Sequence, residues 1–361
     1  MIKKTKNQSI IYGVVLILTG YILFLIIPSP VLDHAISNIE IQWLLKRTEN
    51  QKYQEIKLSQ IREYCVDKLG VTYNYSRNHR LDEVPDEYYA KLNYVAQHLF
   101  INDDYKFIYL SVPKVACSNW KRLLLRLKNV TNENKLAWPH SNGDHKRLVD
   151  LPREEWRAVL QDYGYYKFAF VRNPWTRLVS AYVDRFTRHD KWWYGFIQQT
   201  EGKRMIKNHR VGATENEINE GSDVKFKEFV EDILDHHNKC PNEKVAVNLN
   251  EHWNPQFFIA GLCHPWIEYD FIGRYEELDT ASLEVFKKVH MPDFIDKFPK
   301  PSRNSSTVLR AAVEYSLLDT ELLVNLSKQF RPDFEMLGYE APMELSHILP
   351  SIGFEFDEES V

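Results

Sequence analysis

Between Phe107 and Leu127 the chain reads FIYLSVPKVACSNWKRLLLRL: an apolar run, a Pro-Lys turn and, within a few residues, a basic amphipathic segment. Trp120, Leu123, Leu124 and Leu127 recur at i, i+3, i+4 and i+7, the spacing of one helix face, and Lys121, Arg122, Arg126 and Lys128 fall off that face. A strand that turns directly into a helix aims the helix's free N–H groups and positive end back at the loop, an arrangement that holds phosphate or sulfate. Nucleoside-triphosphate loops of this layout require G-x-x-x-x-G-K-[ST], and no glycine lies between Gly70 and Gly143. Ser118 is the expected N-cap, and Lys114 is the expected ammonium beside the anion.

A second unit of the same kind follows at YKFAFVRNPWTRLVSAYVDRF. The strand Tyr166–Val171 ends in Arg172, Asn173 is placed to cap a helix, and Pro174 stands at its first position, where the missing N–H costs nothing. Leu178, Val179, Tyr182 and Phe186 form the buried stripe, which leaves Arg172 and Ser180 as a fork donor and a hydroxyl at one mouth. Either unit alone is equally an ordinary βα turn with a solvated basic face. Two of them, about sixty residues apart, suggest a ligand with two anionic ends.

Strand-like and helical segments alternate from Tyr105 onward, which predicts an α/β domain with a mostly parallel sheet flanked by helices. Phe107–Val112 and Tyr166–Val171 are the clearest strands; Val245–Leu249 and Phe271–Ile272 are weaker ones. Upstream, Ser9 to Ile27 carries no charge and follows Lys3, Lys4 and Lys6. That run is long enough to cross a bilayer as a helix, and the lysines orient it as a type II signal anchor. The expected organisation is a cytosolic tail (1–8), a transmembrane helix (9–27), a stem and lead-in (28–100), the α/β domain (101–345) and an acidic tail (346–361). Sequons at Asn74, Asn129, Asn304 and Asn325 fit a lumenal body. A net charge of -4 gives no basic field for nucleic acid, so any anion site is a local cluster. The sequence assigns no oligomeric state.

The two loops together resemble the cofactor-binding segments of sulfotransferases that use 3'-phosphoadenosine 5'-phosphosulfate. PKVACSNWKR is similar to the 5'-phosphosulfate loop and RNPWTRLVSAY to the 3'-phosphate segment. The nearest likeness is to the Golgi carbohydrate sulfotransferases that include the chondroitin and dermatan 4-O-sulfotransferases, and it continues through DVKFKEFV, NEHW, LCHP and YDFIGRYEEL. The resemblance implies a P-loop-like sulfotransferase fold, a Golgi membrane location and a lumenal catalytic domain. It also implies a donor site made of Pro113, Lys114, Val115, Ala116, Cys117, Ser118 and Asn119 on one side. Arg172, Asn173, Pro174, Trp175, Thr176, Arg177, Leu178, Val179 and Ser180 complete that site. Where the family has Cys-His-Pro-Cys, this chain has Cys263-His264-Pro265-Trp266. The resemblance therefore suggests Cys240 as partner of Cys263, with Cys65 a rival, and leaves Cys117 unpaired inside the loop.

Sulfuryl transfer needs fixed donors for the charge that develops on the leaving oxygen, the role expected of Lys114, and a general base for the acceptor hydroxyl. No metal is required, and His236 and His237 read as a solvated pair. His140, between the two units, and His252, in NEHW, are the candidate bases, with His145 and Glu251 behind them. Lys203, Arg204, Lys207, His209 and Arg210 either grip an acidic polysaccharide or form a solvated helix face. The resemblance favours the 4-hydroxyl of N-acetylgalactosamine in a chondroitin or dermatan glycosaminoglycan. A glucuronic acid 3-hydroxyl, a silent glycosaminoglycan-binding membrane protein and a nucleotide-kinase relative are the alternatives.

Overall fold

The computed structural model of the protein describes residues 11–18, 21–28, 58–71, 86–187, 192–239, 250–291, 298, 305–341 and 345–352. The chain divides into two units, Met1–Gln54 and Glu55–Val361. In the first, β1 (Ile11–Leu18) and β2 (Tyr21–Pro28) pair antiparallel, with Ile11 opposite Pro28 and Leu18 opposite Tyr21. This corrects the single helix expected over 9–27. An unbroken apolar run has no period to separate helix from strand, and one rich in Ile, Val, Tyr and Phe suits paired strands. Among the described residues no helix is long and apolar enough to cross a membrane.

The second unit is built on a four-stranded sheet in the order β3 (Leu99–Asn102), β4 (Phe107–Leu110), β5 (Tyr166–Val171), β6 (Phe271–Arg274). β3 runs antiparallel to β4, while β4, β5 and β6 are parallel, with Phe107 opposite Tyr166 and Phe168 opposite Phe271. The parallel strands read as continuous apolar runs because helices cover both faces. Trp120 explains how the first helix, α3 (Cys117–Leu127), is seated. Its indole is fully buried and lies 4.8 Å from the ring of Phe168 and 5.3 Å from those of Tyr109 and Phe170, clamping the helix across β4 and β5. The second helix, α4 (Pro174–Phe186), buries Trp175, Leu178, Val179, Tyr182 and Phe186 in a separate core with Phe229, Trp253 and Tyr315. The weak strand Val245–Leu249 lies outside the described residues, as do Asn74, Asn304, Cys240 and the side chains of His236 and His237.

The lead-in is part of the body. In α1 (Leu58–Asp67) the buried residues are Ile61 and Cys65, and Cys65 is bonded to Cys263. In α2 (Asp86–Ala96) Leu92, Val95 and Ala96 are buried, and Tyr94 packs 5.2 Å from Phe258. Gly261, at φ +56, lets that contact close, since a Cβ there would meet the Val95 side chain at 2.9 Å. The disulfide corrects the Cys240–Cys263 pairing, because docking of α1 brings Cys65 to Cys263; Cys117 is free. The expected tail also begins as structure: α7 (Leu345–Ser351) buries Ile348 and Leu349.

Two arginines of the basic cluster at 203–210 are tied up in ion pairs, while Lys207 is exposed. Helix α5 (Lys203–His209) carries Arg204, which donates to both oxygens of Asp232 at 3.0 and 2.7 Å; Arg210 grips Glu228 at 2.7 and 2.9 Å. Both carboxylates belong to α6 (Phe226–Lys239), so those arginines pin two helices together.

The disulfide closes a sequence separation of 198 residues, and loop-closure entropy makes such a bond worth about 2–5 kcal/mol. Cys65→Ser should lower the unfolding free energy by that amount in denaturant titration, and peptide mapping without reduction should recover Cys65 joined to Cys263.

Candidate active site

All three parallel strands deliver a residue to the same edge: Lys114 follows β4, Arg172 follows β5 and Tyr275 follows β6. The carboxyl ends of parallel strands are where open α/β sheets hold ligands. The glycine-free turn works through backbone strain. Lys114 has φ 69 and Ala116 φ 54, with Val115 fully buried between them. Left-handed backbone at a non-glycine residue costs about 1–2 kcal/mol, and here the buried Val115 holds it in place. Ala116 caps α3 with no side-chain hydrogen bond, which leaves the N-terminal N–H groups to the loop. Ser118 therefore is not the cap. It lies inside the first turn, and its Oγ is 2.8 Å from Nε2 of His140.

The second loop forms as its residues predict. Asn173 Oδ1 accepts from Trp175 N at 2.9 Å, and Pro174 opens α4. Arg172 is buried under Tyr275, its guanidinium 4.5 Å from the ring centroid. It donates from Nε to Thr176 Oγ1 and from Nη1 to the carbonyl of Lys114, both at 3.1 Å, which joins the two loops directly. Gln256 pins the Arg172 backbone, accepting its N–H at 2.9 Å and donating to its carbonyl at 2.7 Å. Ser180 is half-buried on α4, one turn from Thr176 and one from Asp184. The side chains of Val115, Trp175, Leu178 and Val179 are core, so they can meet a ligand only through backbone.

Arg177 is diverted. Fully buried, it donates to the carbonyls of Pro113 at 3.0 Å, Asn254 at 2.8 Å and Glu251 at 3.0 Å. Burial lowers its pKa to about 10. Its donors are committed to three carbonyls, so it builds the site and does not face a ligand.

Lys114 Nζ is 2.9 Å from Asp184 Oδ2, and burial, opposed by that carboxylate, holds the ammonium pKa below its usual value. Next along α4, Arg185 meets His252 through Nη2 and Nε2. Asn250 Oδ1 accepts both the backbone N–H of His252 at 3.1 Å and its Nδ1–H at 2.8 Å. The backbone contact identifies Oδ1 as the oxygen, so the proton is on Nδ1 and the lone pair on Nε2. Burial, then Arg185 and Lys114, push the pKa of His252 well down. His140 is lowered to about 3 by burial and then by Lys121, Arg122 and Arg185. Lys121 Nζ stands 3.5 Å from its Nδ1, which leaves the proton on Nε2 facing Ser118. His145 is further back, bonded to the carbonyl of Pro139 at 2.8 Å, and Glu251 lies 3.6 Å from buried His98. Asp184, Arg185 and Tyr275 lie inside stretches already quoted but were not singled out there, and Gln256 and His98 lie outside every motif read from the sequence.

The Sulfotransferase family profile matches residues 97–340. The chain belongs to the sulfotransferase family. Carbohydrate sulfotransferase 14 of Danio rerio is 35% identical over 251 residues, 68% of this chain and 63% of that protein. Carbohydrate sulfotransferase 11 of Rattus norvegicus is 33% identical over 256 residues, 68% of each chain. Carbohydrate sulfotransferase 9 of Homo sapiens is 28% identical over 306 residues, 82% of this chain and 62% of that protein. The chain thus spans less than two thirds of the first of these relatives. No solved structure gives a significant match. The family implies 3'-phosphoadenosine 5'-phosphosulfate as sulfate donor, and the residues fit it: a half-buried ammonium with an uncapped helix end on one loop, a buried guanidinium with a hydroxyl on the other. Among the described residues no cluster of His, Cys, Asp and Glu could hold a metal ion.

Two predictions follow from burial. His98, His140, His145 and His252 all have depressed pKa values in the folded state, whereas the unfolded chain takes up protons near about 6.5. Stability is therefore full above that pH and falls as acid is added; Asp333, raised by burial to about 6, and Glu231 and Glu314, also raised by burial, oppose this in part. Urea midpoints should drop between about pH 6.5 and 5, and His140→Gln should flatten the slope. Arg177→Ala should cost at least about 3 kcal/mol, since three buried carbonyls lose a charged donor, with thermal melting as the check.

Proposed function

We propose that this chain transfers the sulfuryl group of 3'-phosphoadenosine 5'-phosphosulfate to a glycan hydroxyl, the 4-hydroxyl of N-acetylgalactosamine in chondroitin or dermatan. The observation that carries this reading is the 3.1 Å bond from Arg172 Nη1 to the carbonyl of Lys114. It couples two anion loops into one site for a ligand with phosphate at both ends. The names of the relatives support a carbohydrate acceptor, and the likeness of NEHW, LCHP and YDFIGRYEEL to the 4-O-sulfotransferases supports the position.

The donor supplies a sulfuryl group already bonded to a phosphate that leaves readily. Lys114 and the N-terminus of α3 neutralise the 5' end, and Arg172 with Ser180 holds the 3'-phosphate. The acceptor oxygen bonds to sulfur as the bond from sulfur to the bridging oxygen breaks, and that electron pair stays on the departing phosphate. The hydroxyl proton passes to Nε2 of His252, the nitrogen whose lone pair the Asn250 contacts leave available. His140 holds Ser118 from the side, a positioning part that reverses the order of the two histidines expected from their place in the chain.

The apolar run at 9–27 tethers the chain to the Golgi membrane, with the catalytic unit in the lumen. The Cys65–Cys263 bond supports an oxidising compartment, and exposed Asn129 is the sequon best placed for glycosylation.

Incubating the full chain with labelled donor and a panel of desulfated glycans tests the assignment. Label should appear on chondroitin and dermatan, at the 4-position in disaccharide analysis. Label on uronic acid would reassign the acceptor, and absence of transfer to any glycan would refute the activity.

A further inference from the structure

One half-buried ammonium beside the donor loop has no counter-ion. Lys121 lies on α3, and its Nζ stands over the Phe100 ring, 4.7 Å from the centroid, and 3.5 Å from Nδ1 of His140. Cations on the neighbouring segments each have a carboxylate. Lys114 meets Asp184 at 2.9 Å, Lys135 meets Asp144 at 2.6 Å, Lys146 meets Asp103 at 2.8 Å and Arg147 meets Asp150 at 2.8 Å. Among the described residues no carboxylate pairs with Lys121. The imidazoles of His98, His140 and His145 all feel its charge, and burial holds each of them below the ordinary range, so they supply no negative charge. Glu251 is engaged 3.6 Å from His98. A half-buried ammonium has given up part of its hydration, and an anion that reaches it restores the loss. Lysine carries three donors, and His140 takes one.

The same corner presents an aromatic face. Trp138 is 40% exposed, and its ring lies 4.9 Å from that of His140. His140 joins this corner to the reacting centre: its Nε2 is 2.8 Å from Ser118 Oγ in the donor segment, and it is among the groups that depress His252. One imidazole ring therefore separates Lys121 from the donor side of the site.

We propose that Lys121 and Trp138 form the acceptor subsite beside the reacting sugar, where the ammonium takes the carboxylate of an adjoining uronate and the indole carries a sugar's C–H face. The inference rests on the sulfuryl-transfer reading and deepens it by naming what the acceptor must carry next to its hydroxyl. In chondroitin and dermatan each N-acetylgalactosamine adjoins uronates, so a carboxylate stands one sugar away from the hydroxyl that is sulfated. A glycan whose N-acetylgalactosamine has neutral neighbours meets the same base and donor but leaves Lys121 without a counter-ion. Lys121 is thus a specificity determinant and touches no reacting atom.

The anion is a carboxylate because an acceptor not yet sulfated carries no other charge. An ammonium also suits the task better than a guanidinium. Glucuronate and iduronate present their carboxylates in different directions, and a point charge on a flexible stem follows both, whereas a planar fork selects one geometry. The indole complements it by offering a flat apolar surface that is indifferent to charge.

The test compares desulfated chondroitin with its carboxyl-reduced form, in which every uronate has become a neutral hexose. The wild-type full chain should show an acceptor KM about tenfold higher on the reduced polymer, the size of one charged hydrogen bond, with donor KM the same on both. Lys121→Gln should raise the KM for desulfated chondroitin about tenfold and handle the two polymers alike, and Lys121→Arg should restore part of the preference. Lys287→Gln removes an exposed lysine paired with Glu284 and should keep the wild-type preference, which separates a local contact from net charge. Trp138→Ala should raise KM on both polymers by a similar factor, and an unchanged KM would remove the indole from the subsite. A wild type that handles the two polymers equally, a result that needs no variant to fold, would overturn the proposal. So would a Lys121→Gln variant that keeps the preference, or an effect of Lys121 confined to chondroitin that already bears sulfate. Should Lys121→Gln fail to fold, Lys121→Met keeps the stem on Phe100 and gives the same comparison. Transfer to neither polymer, with adenosine 3',5'-bisphosphate still bound, would instead refute the activity.

Discussion

The site depends on one guanidinium that no ligand can reach. Arg177 spans from α4 to the carbonyls of Pro113, Glu251 and Asn254, so a single side chain fixes the donor loop and the loop that carries His252. Three neutral acceptors are an unusual setting for a buried cation, and burial lowers its pKa to about 10. What keeps it there is geometry. A planar fork can serve three carbonyls on two loops at once, which lysine, a point charge on a flexible stem, cannot. Arg172, five residues earlier, then closes the remaining gap with its bond to the carbonyl of Lys114.

Legibility in the sequence followed the range of the forces involved. The strand Tyr166–Val171 and the Asn173-Pro174 helix start could be read residue by residue, because burial on both faces and capping act locally. β3 could not: its four residues stand between His98 and Asp103 with no alternation, and only pairing to β4 makes them a strand. The disulfide was misread for a related reason. Resemblance pointed to Cys240, whereas docking of α1, a tertiary event, selects Cys65. Asp184 and Arg185 fall on the polar side of an amphipathic helix, where solvated charges are the ordinary expectation. They become site residues only because α4 crosses beside Lys114.

The absence of glycine from the donor loop has a physical consequence. Glycine would adopt the left-handed conformations of positions 114 and 116 freely, but it would place no ammonium at the first and would leave the turn loose in the unfolded chain. Putting Lys114 itself at φ 69 directs its side chain from the strained residue, so loop shape and ammonium position cannot vary independently. Trp120, wedged among Tyr109, Phe168 and Phe170, supplies the rigid support that such strain requires.

Electrostatics links the two halves of the chemistry. Burial holds His140 and His252 below the ordinary imidazole range, and nearby cations add to it; of these Lys114, which also lowers His252, belongs to the first anion loop. An imidazole so depressed is unprotonated at any physiological pH, which secures the right protonation state, but it is a feeble base. Any anion held by Lys114 and Arg172 acts on those imidazoles with the opposite sign, offsetting the positive field and raising their affinity for a proton. A site with neutral surroundings would have its base equally strong at all times, and equally ready to activate water. Here burial, with the positive field second, keeps both imidazoles unprotonated, and an anion placed beside them would act against the second of these.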